Sequence, residues 1–162
     1  MRITETKMPE ASLKNPVDLN KHLPSLLSLL GNKFALHATR VGARPMELDL
    51  REWRIILVLG ARGLSTVNEI ADSIFMDQGG TSRTIGRLEA RGLVSREGDK
   101  EDRRRSFIDL TAQGILAHNK IADFAHEREQ RLLAHLSEED RETLNQTLLS
   151  LIDQMNLLLA RG

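Results

Sequence analysis

Apolar residues recur along this chain at three- and four-residue steps, interrupted by short runs of a different character. Between Val17 and Ala43 they fall at Leu19, Leu23, Leu26, Leu27, Leu30, Phe34, Ala38 and Val41, the stripe of an amphipathic helix. Pro24 belongs to its first turn or marks its true start, because proline is tolerated there and costly further in. The residues before this helix, 1–16, mix charge with Pro9 and Pro16, show no period and read as a mobile arm. Asp49-Leu50-Arg51-Glu52 is a capping-box pattern and opens a second helix to about Gly60, with Arg62-Gly63 as its stop. Ser65-Thr66-Val67-Asn68-Glu69 is another start signal and leads a short third helix over Val67, Ile70, Ala71 and Ile74, ending near Phe75.

Asp77 caps a fourth helix closed by Gly92, with Thr81, Ile85 and Leu88 as its buried stripe. Gln78, Ser82, Arg83, Gly86, Arg87 and Ala90 form its outer face. Two short helices separated by Phe75-Met76 and capped by Asp77 match a helix-turn-helix, whose second helix offers its polar face to the DNA major groove. Gly79-Gly80 stands in the first turn of that helix, where each glycine costs about 1 kcal/mol relative to alanine. Either the start is loose until DNA orders it, or the glycines admit a close phosphate. Leu93 to Arg96 and Ser106 to Leu110 have strand-like content and flank a charged stretch, which makes a hairpin with a basic tip. Thr111 and Ser137 cap two long helices, to about His135 and about Ala160.

Composition narrows the function more than the fold. The chain of 162 residues has no cysteine, which excludes a disulfide framework, a thiolate metal site and a thiol redox sensor. It has no apolar run long enough to span a membrane and no secretory leader pattern, so the expected location is the cytoplasm. The net charge is zero, but 78–108 carries +3 and 109–162 carries −4, so positive charge gathers on the helix-turn-helix and hairpin. His118, His126 and His135 are spaced by eight and nine residues with no H-x-x-x-H or H-E-x-x-H pair, so a metal-responsive regulator is only a minor alternative. No nucleophile elbow or phosphate loop is present, and the sequence points to no enzyme and no cofactor.

Leu48-x-x-x-Glu52-Trp53-x-Ile55-Ile56-x-x-Leu59, Ile70-Ala71, Arg87-Leu88-Glu89-x-x-Gly92-Leu93-Val94-x-Arg96 and Asp99-x-x-Asp102-Arg103-Arg104, with Leu110-Thr111-x-x-Gly114 after them, occur in that order. In this the chain resembles the multiple-antibiotic-resistance regulator (MarR) family over about Leu19 to Leu159. The resemblance implies a mainly α fold with a small β-hairpin wing, a winged helix-turn-helix joined to a helical dimerisation domain. The expected organisation is a mobile arm over 1–16, a dimerisation helix over 17–45, a DNA-binding lobe over 46–111 and C-terminal dimerisation helices over 112–162. It further implies a homodimer on a pseudo-palindromic operator in double-stranded DNA, more often a repressor, released by a small aromatic, anionic or acyl-thioester effector.

Candidate DNA-binding residues are Gln78, Thr81, Ser82, Arg83 and Arg87 on the recognition helix and Arg103, Arg104 and Arg105 in the wing. An arginine there can donate twice to guanine or clamp a phosphate, and an arginine inserted in the minor groove is favoured by its negative potential. By resemblance Arg104 is the inserted one, while Asp102 orients its neighbours. Candidate effector residues are His37, Arg40, Arg44, Trp53 and His118, where cations beside an aromatic wall would suit an anionic ligand. The competing reading from another class is a winged helix that binds an acidic protein partner and no specific DNA.

Overall fold

The computed structural model describes residues 15, 17–42, 47–98 and 105–161, without the side chains of 41 and 42. The expected N-terminal arm, apart from residue 15, and the tip of the hairpin lie outside these residues. The first helix, α1, runs Leu23–His37 and is followed by a five-residue π-helical turn, Ala38–Gly42. It is shorter than its apolar stripe predicts. Residues 18–22 are held in turns, with the Lys21 and His22 amides donating to the Asp18 carbonyl, and Pro24 sits in the first helical turn. At the other end the Thr39 hydroxyl donates back to the carbonyls of Ala35 and Leu36, at 3.1 and 3.0 Å. Such back-bonding competes with the backbone ladder and loosens a helix.

The lobe follows. Helix α2 runs Leu50–Arg62, strand β1 is Ser65–Thr66, α3 is Val67–Ile74 and α4 is Gln78–Ala90. Asp49 and Thr66 each complete a full capping box, with Glu52 and Glu69. Phe75 ends α3 in the left-handed region at φ 52°, an unusual place for a bulky side chain, and lies 87% exposed. Strands β2, Val94–Gly98, and β3, Ser106–Leu110, form the hairpin, and β1 adds to the outer edge of β3, giving an antiparallel sheet in the order β1-β3-β2. The two-residue β1 carries no periodic signal of its own and exists because Ser65 and Thr66 pair with Ile108 and Phe107.

Trp53, Ile55, Ile56 and Leu59 of α2, Ile70 of α3, Ile85 and Leu88 of α4, and Ile108 of β3 close one core. Helix α5, Ala112–Leu133, joins it through the fully buried Ile121, and α6, Glu138–Leu159, follows the Ser137 cap. Neither α1 nor α6 buries a single residue. Leu26, Leu27 and Leu30 on α1 and Leu151, Ile152, Met155 and Leu158 on α6 remain exposed. Apolar area of this extent, on helices whose spacing demands a buried stripe, marks an association surface.

Candidate nucleic-acid interface

Local chemistry fixes where α4 begins. The Asp77 carboxylate accepts from the Gly80 amide at 2.6 Å, and a Cβ at Gly80 would stand 2.7 Å from the other carboxylate oxygen. The second glycine is therefore the residue that admits the cap, a role for the Gly79-Gly80 pair distinct from looseness or phosphate approach.

One side of α4 packs into the lobe through Gly80, Thr81, Thr84, Ile85 and Leu88. Thr81 is fully buried and donates its hydroxyl to the Asp77 carbonyl at 3.0 Å, so the side chain expected to face DNA is part of the core. Gln78, Ser82 and Arg83 lie on the exposed side, as the helical spacing predicts. Arg83 has neither an ion pair nor a hydrogen bond among the described residues, and its guanidinium lies back over Gly79. Arg87 departs from expectation. Its NH2 donates to Asp49 Oδ2 at 2.8 Å and its Nε to Glu52 Oε1 at 3.2 Å, which turns the guanidinium toward α2 and leaves the side chain half-exposed.

In the wing, Arg96 is held by Glu89 and Ser106. Arg105 is exposed, its guanidinium carbon 5.9 Å from the centre of the Phe107 ring. The exposed Glu69 carboxyl is held below its ordinary value by hydrogen bonds from the Thr66 backbone and hydroxyl, assisted by the charges of Arg105 and Arg62 and opposed by slight desolvation. The expected contacts Arg103 and Arg104 lie outside the described residues.

A groove of about 520 Å³ opens between α1 and α5. Phe34, His37 and Phe124 supply rings, Lys33, Arg128 and Arg131 supply positive charge, and Leu30, Leu132 and Glu127 complete the wall. His37 stacks on Phe124 at 5.5 Å and Trp53 meets the same ring edge-on at 5.4 Å. The Arg128 guanidinium lies 5.0 Å from the Phe34 centroid and 5.8 Å from that of Phe124. Of the chain's five aromatic residues, three meet here, a density that the apolar periodicity of each helix alone does not reveal. Trp53 Nε1 is buried with no hydrogen-bond partner among the described residues.

Among the expected effector residues, His37 lines the groove and Trp53 backs it through Phe124. Arg40 is exposed on the π-helical turn and is not among the lining residues, and Arg44 falls outside the described residues. His118 is placed elsewhere, with its ring against Gly60 of α2, so it is not a groove residue. Sequence reasoning missed Phe34, Phe124 and Arg128 as a set. The signal was present in the Phe124–Arg128 spacing of one helical turn, but the pairing with Phe34 depends on how α1 lies against α5. Among the described residues no group of three or more His, Asp or Glu side chains is arranged to hold a metal ion.

The family model described as MarR family matches residues 47–105, from just before α2 through β2 and up to the start of β3. The chain is similar to the organic hydroperoxide resistance transcriptional regulator of Bacillus subtilis, 28% identical over 117 residues, 68% of this chain and 76% of that one. It is similar also to the HTH-type transcriptional regulator MhqR of B. subtilis, 29% identical over 142 residues, covering 87% of this chain and 91% of the relative. Among solved structures, a MarR/EmrR family transcriptional regulator from Acinetobacter sp. ADP1 superposes with a TM-score of 0.78 at 29% identity, over 87% of this chain and 99% of that one.

Proposed function

This chain belongs to the MarR family of transcriptional regulators, and from that premise we propose that it binds a pseudo-palindromic operator as a homodimer and leaves it when a small anionic aromatic molecule fills the groove between α1 and α5. The observation that carries the DNA reading is the division of labour on α4. One side is locked into the lobe, and the opposite side offers Gln78, Ser82 and an Arg83 with no ion pair among the described residues, from a capped start. A helix so held presents hydrogen-bonding groups to base edges at little ordering cost. Arg105 stands at the base of the wing, and Arg103 and Arg104 extend the same positive stretch in sequence. The exposed faces of α1 and α6 supply the dimer, and a two-fold pair of lobes reads two half-sites about one turn of DNA apart.

The groove chemistry supports the effector class. Three cationic side chains beside three rings favour a flat molecule bearing a carboxylate or similar group, and an acyl-thioester with its phosphates meets the same cations. Response to a hydroperoxide through a thiol is closed to this chain, which has no cysteine. Linkage makes the control reciprocal: a ligand that favours another spacing of the lobes lowers DNA affinity by the factor by which DNA lowers its own.

The test is fluorescence anisotropy on duplex from the region upstream of the gene and on random duplex, at two salt concentrations. Tight, salt-sensitive binding with preference for the upstream duplex is expected, with Arg83→Ala costing about 1–3 kcal/mol at one base pair. Binding that ignores both sequence and salt would overturn the reading in favour of a protein-interaction module.

A further inference from the structure

The first turn of α2 has more carboxylate than its cap requires. Asp49 Oδ1 accepts from the Arg51 and Glu52 amides, both at 2.8 Å, and Glu52 Oε2 accepts from the Asp49 amide at 2.9 Å, which completes the box. The remaining oxygens reach across 35 to 38 residues of sequence to the far half of α4. Asp49 Oδ2 and Glu52 Oε1 hold Arg87, and Glu52 Oε2 is 3.4 Å from Arg91 NH1, which also donates to the Glu47 carbonyl at 3.0 Å. The Glu52 side chain is 6% exposed, whereas Arg87 is 50% exposed. The carboxylate is thus the fixed member of the pair and the guanidinium the oriented one. One turn away on the same helix Arg83 has no such partner among the described residues.

We propose that Asp49 and Glu52 are positioning residues for DNA recognition: they set the roll of α4 and withhold Arg87 and Arg91 from the phosphate backbone, leaving the outer face to Arg83. The proposal rests on the DNA-binding reading above and deepens it. An arginine free to swing between phosphates raises affinity for any sequence alike, whereas one tied to α2 contributes nothing to random binding and keeps the base-reading face in register. Sequence preference is then maintained by carboxylates that never touch DNA.

The pair Asp49→Asn and Glu52→Gln separates this role from capping. Asparagine is as good an N-cap as aspartate and glutamine serves in a capping box, so the helix start survives while both charges go. The probes are random duplex and a duplex selected from a random library by the wild-type protein. The double variant is expected to bind random duplex more tightly, with the slope of log K against log salt steeper by about 0.9 for each arginine that reaches a phosphate, and to lose at least about ten-fold of its preference for the selected duplex. An unchanged slope with unchanged preference overturns the proposal, as does a parallel loss on both duplexes at constant slope, the mark of mere instability. Should the double variant not fold, Arg87→Gln decides: a retained slope with reduced preference supports a withheld arginine, and a slope shallower by about 0.9 per protomer shows that Arg87 itself contacts phosphate and overturns it. Wild-type protein that selects no sequence and binds random duplex without salt dependence removes the DNA reading and this proposal together.

Discussion

Replacing Gly114 by alanine tests how the lobe is fastened to α5. Gly114 lies in the first turn of α5, where its amide is capped by the Thr111 hydroxyl at 3.0 Å. A Cβ built there falls well inside contact distance of the Leu93 carbonyl oxygen and 3.1 Å from a Leu110 methyl. That carbonyl already accepts from the Thr111 amide at 3.1 Å, and the Thr111 hydroxyl donates to the carbonyl of Gly92. The obstacle is therefore backbone held by hydrogen bonds, which cannot retreat as the end of a side chain can. Overpacking of this kind costs about 3 kcal/mol, at the upper end of its usual range, and exchange of glycine for alanine in a helix returns up to about 1 kcal/mol. The expected net loss is about 2 kcal/mol, which moves a urea midpoint down by roughly 1 M for a slope near 2 kcal/mol/M. Trp53, the only tryptophan, is buried against Phe124 of α5 and reports the same junction by fluorescence at fixed protein concentration. A variant as stable as the parent would refute the argument, because it would mean that α5 is not seated on the Leu93 backbone.

Three further outcomes follow from named contacts. Ile152→Asp with Met155→Asp places charge on the exposed apolar face of α6 and is expected to weaken the dimer at least about 100-fold, because an unpaired charge buried at an interface costs several kcal/mol; sedimentation showing an undiminished dimer would exclude that face from the interface. Phe75→Gly removes a left-handed bulky residue that packs little, and a gain of up to about 1 kcal/mol in thermal or urea unfolding is expected, with a loss showing that the ring supports the lobe. The Glu69 carboxyl, lowered by its Thr66 hydrogen bonds, contributes stability that is fully present above its ordinary value of 4.5 and is lost as pH falls through the lower folded value. Glu69→Gln should therefore flatten the decline in stability below pH 4.5, and a parallel decline would show that the carboxylate is not linked to folding.

Much of this protein is written locally. Asp49, Thr66, Asp77, Thr111 and Ser137 all cap the helices that their three- or four-residue signals announce, because a cap is a contact between neighbours in sequence and needs no tertiary partner. The apolar stripes likewise mark the packed side of α2, α3 and α4, since helical geometry alone carries period into facing. The end of α1 escaped that logic: its stripe runs on, yet the Thr39 hydroxyl back-bonds and the chain turns π-helical.

What only the tertiary structure decided lies at distances that no local signal spans. Arg83 and Arg87 are four residues apart, about 40° around a helix, so spacing alone puts both on one face. Glu52 and Asp49, 35 and 38 residues away, draw Arg87 to α2 and leave Arg83 outside. Thr81, by contrast, is buried as its place in the predicted stripe requires, and it is its inclusion among the candidate DNA contacts that fails. Strand β1 exists only through β3, and the ring-lined groove only through the approach of α1 to α5. The sequence by itself determined the capped starts of α2 to α6, the two strands of the hairpin and which class of regulator they build. Which arginines are tied to α2 and which rings meet in the groove between α1 and α5 were decided by packing, because each depends on groups brought together from distant parts of the chain.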